Sequence, residues 1–458
     1  MSEPYDNGSF WFASLDELTP PEPPEELPPQ VDVAIIGAGF TGLWTAYYLN
    51  KAKPDLNVAV FEANSVGFGA SGRNGGWCMG WAMGIDEMIQ KPKTIEKGMA
   101  VARAMEETVD EIGRVCQGEN IDCHFAKGGT LTVATRPFEV ERMQAKVAER
   151  HKAGFSEEDF VWLDEAESKR RLNMTPNFGA VYTPHCASIH PARLVRGLGN
   201  VVRKKGVKIF EQTAVTSYGH GKIDTVRGQV SAPVVLRATE GYTESIKGHE
   251  REMLPVYSMM VATEPLPNSV WNEIGLRNRE TFGDNRRTTI YGQRTLDNRF
   301  AFGGRGGYYF GSERKAVIPP DDPSLDFVEQ TLRDLFPILA GYRVTDRWGG
   351  LMGAPRHWRP SVVFDKQTGT GSAGGYTGEG VGASNLAARI LVDLVLENQT
   401  PITELAWVND VARRWEPEPI RWIGTKAIRW LGEHADRVEV RSGKPSKVWG
   451  GLFDRFFG

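Results

Sequence analysis

The stretch VAIIGAGFTGLWTAYYLN, residues 33–50, decides the fold class of this chain. A short apolar run meets Gly37, Gly39 and Gly42 and continues into residues that read as a helix, opened by Phe40 and Thr41. Glycines spaced G-x-G-x-x-G between a strand and a helix suit a pyrophosphate. The first permits a tight turn and the second lets backbone approach the phosphates. The third lets helix pack on strand, and the helix N-terminus faces the negative charge. Residues 57–62 read as a second strand ending at Glu62, about twenty residues past Gly42, where a carboxylate holds ribose hydroxyls. This is a βαβ opening, and packing alone is a poor account of three glycines in that setting.

Around this opening the chain has ordinary globular composition. Its 458 residues are 40% hydrophobic and 24% charged, which predicts two or three structural units. A net charge of −4 gives no electrostatic reason to expect nucleic acid as a partner. The cysteines, Cys78, Cys116, Cys123 and Cys186, are scattered without a C-x-x-C pair, so neither a disulfide framework nor a metal site is expected. The start, MSEPYDNGSF, lacks the basic and apolar regions of a signal peptide, and no apolar run reaches ~18 residues. A cytoplasmic protein is the expectation.

Residues 1–30 end in LTPPEPPEELPPQ, which predicts an extended arm. Helices are expected over 95–116, 137–152, 190–206 and 383–396, and strands over 128–137, 207–210 and 234–238. Residues 288–306 read as two strands joined by a turn at Asp297–Asn298. The order implies an α/β nucleotide domain with a second, antiparallel sheet inserted.

NAD and FAD share the glycine fingerprint, so other stretches must decide. VGFGASGRNGGW (66–77) is a second glycine loop, suited to a flat ring system faced by backbone amides. GGYTGEGVGASNLAARILVDLV (374–395) is a third, and its helix N-terminus suits negative charge on a reduced flavin. With VVLRATEGYT (234–243), RFAFGGRGG (299–307) and IHPARLVRGL (189–198), these stretches are similar to the D-amino-acid oxidase superfamily of FAD-dependent oxidoreductases. The likeness runs in order from about residue 31 to 396, and it is greatest to the branch of glycine oxidase, sarcosine oxidase and gamma-glutamylputrescine oxidase. GASGRNGG is more specific than the fingerprint.

The resemblance implies a Rossmann-like FAD-binding domain made of 31–120, 186–250 and 345–400, interleaved with an antiparallel-sheet substrate domain of 121–185 and 251–344. An arm, 1–30, and a helical tail, 401–458, flank them. FAD would contact Gly37, Gly39, Phe40, Thr41, Gly42, Ala63, Gly69, Ala70 and Gly375, with its adenine end near Glu62 and Val215. Ala238, Thr239 and Gly241 would approach the pyrophosphate. Ser71, Gly72, Arg73, Asn74, Gly75 and Gly76, with Tyr376, Gly378, Glu379, Gly380 and Val381, would lie near the ring. The implied reaction is hydride transfer from the amine-bearing carbon of a small amine or amino acid. Imine hydrolysis and reoxidation by O2 to H2O2 would follow.

Three departures qualify the resemblance. Sarcosine oxidase holds FAD through a cysteine where this chain has WGGLMGAPRHW, with Met352 near that place, so FAD is expected to be noncovalent. Its oxygen-activating lysine corresponds to Ala301, which leaves room for a dehydrogenase. Relatives often have histidine where this chain has Glu379. A carboxylate there opposes reduced-flavin charge unless it is protonated, turned away or paired with a cationic substrate. Arg305, at the end of a strand that should reach the flavin, is the candidate anchor for an anionic substrate group. A salt bridge is its alternative. Tyr257, Tyr308, His357 and Trp358 are open between pocket lining and packing. The tail, RWIGTKAIRWLG then VWGGLFDRFFG, is aromatic and basic, and packs on its own chain, on a sister subunit or on a membrane surface. Two further readings stand beside the oxidase: a membrane-associated dehydrogenase using quinone, and an FAD-binding subunit without turnover.

Overall fold

Val33–Ile36 and Val58–Phe61 are buried along their whole length, as four-residue strands covered on both faces must be. In the computed structural model, which describes residues 7–16 and 25–457, they form the centre of a six-stranded sheet. Its order is Ser361–Asp365, Thr370–Gly374, Val234–Arg237, Val33–Ile36, Val58–Phe61, Lys208–Phe210. The pairings are parallel except at the 361–374 edge. Helix Phe40–Ala52 leaves the first strand, and helix Gly380–Val395 packs against it. That second helix begins three residues before the expected start. Packing of its apolar face overrides the low helix propensity of the glycines at its N-terminus.

The second layer is an eight-stranded, mostly antiparallel sheet. It runs Val344–Ala354, Leu254–Thr263, Phe300–Arg305, Ile290–Arg294, Thr281–Asp284, Thr130–Val133, Ala180–Thr183, Val161–Leu163. The expected hairpin is its centre, with Asn298 in the left-handed region at the turn (φ 63°). Val344–Ala354 hydrogen-bonds along Leu254–Thr263, so residues 345–354 lie in this sheet and the chain rejoins the parallel sheet only at Ser361. The boundary at 345 was implied by the resemblance, which does not reveal which sheet edge this strand joins.

The arm is not uniformly extended. Phe10–Ala13 forms a helical turn capped by the Ser9 hydroxyl, and Phe10, Trp11 and Phe12 are buried with Ala192, Met260 and Trp348. Much of the proline run, residues 17–24, lies outside the described residues. The tail forms two helices, Ile420–Ser442 and Trp449–Phe457. Among the described residues no helix is long and apolar enough to cross a membrane.

Candidate active site

Three glycine loops converge at the carboxyl ends of the parallel strands, where an open α/β sheet binds its ligands. Their positions are fixed by side chains that satisfy backbone donors. In the first loop Gly37 takes φ 105°, and a Cβ on Gly42 would stand 1.9 Å from the Gly37 carbonyl oxygen. The third glycine therefore lets the helix approach the strand. Ser71 of the second loop accepts the Phe40 N–H at 2.8 Å. Tyr376 of the third loop meets Thr41, hydroxyl to hydroxyl, at 2.9 Å.

Two buried carboxylates complete this frame. Glu62 accepts the Ala38 N–H at 2.7 Å and the Asn64 N–H at 2.9 Å, locking the fingerprint loop to the end of the second strand. Burial raises its pKa, and those backbone donors oppose the rise. Glu240 does the same for the third loop, accepting the Gly375 N–H at 3.0 Å and the Tyr376 N–H at 3.1 Å, one on each oxygen. Burial pushes its carboxyl up to about 7 against the pull of those two donors and of Arg237.

The loops enclose a cavity of about 380 Å³ that runs from the parallel sheet to the antiparallel one. Of the residues expected to hold the cofactor, it is lined by Gly37, Gly39, Phe40, Thr41, Glu62, Ala63, Gly69, Ala70, Ser71, Arg73, Asn74, Gly75, Val215, Ala238, Thr239, Tyr376, Gly378, Glu379, Gly380 and Val381. Gly42, Gly72, Gly76, Gly241 and Gly375 do not line it. Their roles are close packing and backbone hydrogen bonds: Gly76 donates to Asn74, Gly375 donates to Glu240, and Gly241 abuts Leu351 and Met352.

The far end of the cavity is built by the antiparallel sheet. Thr132, Ser258, Asp284, Ile290, Tyr291 and Met352 line it, with Trp77 from the second loop. The Ser258 and Tyr291 hydroxyls contact each other. Asp284 has no exposed side-chain surface and pairs with Arg286 at 2.6 Å. Burial raises its pKa, while Arg286 opposes this. Glu379 is the N-cap residue of helix Gly380–Val395, so its carboxylate stands at the positive end of that helix.

Sequence reasoning passed over Glu240, Asp284, Tyr291 and Trp77. Glu240 lay inside the quoted stretch RATEGYT, between two residues that were singled out. Its signal was a carboxylate just past the end of an apolar strand, beside Gly241. Arg305 ends the backbone of Phe300–Arg305 opposite Ser258 of the cavity wall, and its side chain lies outside the described residues. The aromatic and histidine candidates resolve as packing. Tyr257 accepts the Lys315 N–H at 2.6 Å, Tyr308 donates to Glu418, and a His357 ring nitrogen lies 3.1 Å from the Asp410 carbonyl. Glu106, Asp159 and His185 bring potential metal ligand atoms within 4.8 Å of one another. Arg103 already bridges both carboxylates of that group, at 2.7 and 3.0 Å.

The cavity fits a flavin dinucleotide on three observations. Backbone from three glycine loops forms much of its wall, and a helix N-terminus opens into it at Glu379–Gly380. Among the described residues the Tyr242 hydroxyl and the Trp77 indole N–H, both from residues that line the cavity, are buried without a hydrogen-bond partner. Matching agrees: the family model "FAD dependent oxidoreductase" (DAO) covers residues 32–394. The chain belongs to the DAO family of FAD-dependent oxidoreductases. This FAD-dependent oxidoreductase is 28% identical over 402 residues to the gamma-glutamylputrescine oxidoreductase of Escherichia coli, covering 84% of this chain and 88% of that one. It is 24% identical over 355 residues to sarcosine oxidase subunit beta of Rhodobacter capsulatus, covering 72% and 76%. Its fold is that of glycine oxidase from Geobacillus kaustophilus, with a TM-score of 0.70 at 18% identity, over 85% of this chain and 100% of that one.

Proposed function

We propose that this FAD-dependent oxidoreductase oxidises a small amine or amino acid at the carbon bearing nitrogen, with O2 as acceptor and FAD held without a covalent bond. The observation that carries the reading is the continuity of one cavity from the dinucleotide loops to a polar wall on the antiparallel sheet. That wall offers the chemistry an amine needs. Glu379 provides a carboxylate, and the Ser258–Tyr291 pair provides hydroxyls that accept or donate. The similarity to a gamma-glutamylputrescine oxidoreductase supports a substrate of that kind, with an ammonium and a carboxylate in one molecule. When bound, FAD supplies the two-electron acceptor for hydride from the C–N carbon. The chain's own part is to orient the amine, exclude water and place charge.

Arg305 is the proposed anchor for the substrate carboxylate, because the register with Ser258 brings its backbone to the cavity wall. Noncovalent FAD is supported by the cysteines: Cys78, Cys116, Cys123 and Cys186 are buried, and none lines the cavity. A second reading, electron transfer to an acceptor other than O2, is favoured by Ala301, a buried methyl in the core where the oxygen-activating lysine of sarcosine oxidase is expected. Anaerobic bleaching of the flavin by a panel of amines and amino acids tests the reaction. H2O2 on readmitting air separates oxidase from dehydrogenase, and a panel that leaves the flavin oxidised refutes amine oxidation.

A further inference from the structure

The loop 285–289 connects two strands of the antiparallel sheet, and its flanks Asp284, Thr289 and Ile290 form part of the cavity wall. Its own backbone donors are not satisfied by the sheet. The Arg287 N–H and the Thr288 N–H instead donate to the two oxygens of Asp436, at 3.2 and 3.0 Å. Asp436 lies on helix Ile420–Ser442, more than 140 residues later in the chain. One turn on, Glu439 pairs with Arg287 at 2.9 Å and with Arg136 at 3.0 Å, and is itself almost completely buried.

The same helix grips two more segments. Arg429 donates to the Gly306 carbonyl at 2.8 Å, one residue past Arg305. Arg421 pairs with Glu244 at 2.5 Å and donates to Ser312 at 2.8 Å. Glu244 belongs to the turn Glu240–Ser245, which carries the cavity residues Glu240 and Tyr242. A single helix therefore ties the parallel-sheet side to the antiparallel-sheet side at the substrate end. The whole helix lies beyond residue 394, where the family match stops.

From this geometry we infer that helix 420–442 is a strap that sets the shape of the substrate end of the cavity, with Asp436 as its positioning residue. The inference rests on the proposed function only in taking that end as the substrate's. A carboxylate that accepts two backbone N–H groups at once fixes both the place and the tilt of the loop. Without it the loop moves, and with it Thr289 and Ile290.

The test uses the full-length, FAD-loaded protein with Asp436→Ala and Asp436→Asn. Acrylamide quenching of flavin fluorescence reads access to the ring without any amine. KM and kcat are read on whichever amine bleaches the wild type. Asp436→Ala should raise acrylamide quenching and raise KM roughly tenfold, more than it lowers kcat. Asp436→Asn keeps one acceptor and should fall between the two. FAD content should match the wild type in both variants. Unchanged quenching with unchanged KM overturns the inference. So does a loss of kcat that tracks a loss of FAD, which would make the helix a general prop. If no amine bleaches the wild type, the functional reading fails while the quenching result still decides the strap.

Discussion

Glu240→Gln isolates one buried carboxylate and makes a numerical prediction. The carboxyl is raised from its ordinary 4.5 to about 7, chiefly because burial penalises the charge. Its folded pKa thus lies above its unfolded one, so the folded protein holds the proton more tightly. The stability that this contributes is fully present below pH 4.5 and is lost as pH rises through about 7. Integrated from pH 5 to pH 8, the loss is roughly 2–3 kcal/mol. Glutamine is neutral throughout and lacks this dependence. Its amide also turns a donor toward either the Gly375 or the Tyr376 N–H, which adds a pH-independent cost of about 1–3 kcal/mol. An unfolding entropy of about 2.1 cal/mol/K per residue gives about 1 kcal/mol/K for a chain of this length, so the first effect is worth about 2–3 °C in Tm. Thermal unfolding of wild type and variant side by side at pH 5, 6, 7 and 8 is the assay. The gap in favour of the wild type should narrow by about 2–3 °C from pH 5 to pH 8. Parallel profiles would refute the reasoning, because they would mean that Glu240 is not titrating in this interval.

Glu62→Ala should weaken FAD binding by about 1–3 kcal/mol, measured by flavin fluorescence titration, since it removes the carboxylate that holds the Ala38 N–H. Gly42→Ala should cost stability as well, because its Cβ meets the Gly37 backbone oxygen at 1.9 Å. A loss of about 1–3 kcal/mol in stability with a drop in FAD content is expected, and full FAD content at unchanged Tm would contradict it. Acid precipitation should release all yellow colour to the supernatant, and colour in the washed pellet would mean a covalent flavin. Arg305→Ala should lower kcat/KM on a carboxylate-bearing amine by about 2–4 kcal/mol of transition-state binding, while sparing an analogue without the carboxylate. Equal effects on both would make the arginine structural.

The dinucleotide half of the protein was legible in the chain because its determinants are local. A strand, a glycine turn and a helix are written in consecutive residues, and Gly37, Gly42 and Glu62 do their work within about thirty residues of one another. The central hairpin was legible for the same reason, through a turn at Asp297–Asn298 between two apolar runs. The aromatic turn at Phe10–Ala13 was not, because its burial depends on Trp348 and Met260, far away in the sequence. The same holds for strand Val344–Ala354, whose partner is chosen by sheet pairing and not by its own composition.

Sequence alone therefore determined a dinucleotide site and the layers that hold it, since glycine spacing and strand–helix alternation act over short range, while the choice of FAD over NAD came from the resemblance carried by the second and third glycine loops. Only the tertiary structure decided how the third loop is held and what shapes the substrate end. Glu240 reaches across 135 residues to the Gly375 N–H, and Asp436 reaches across 149 to the Arg287 N–H. A carboxylate shows no periodicity that names its partner. What selects it is a buried backbone donor left unsatisfied by its own element, and that need exists only once the chain has folded.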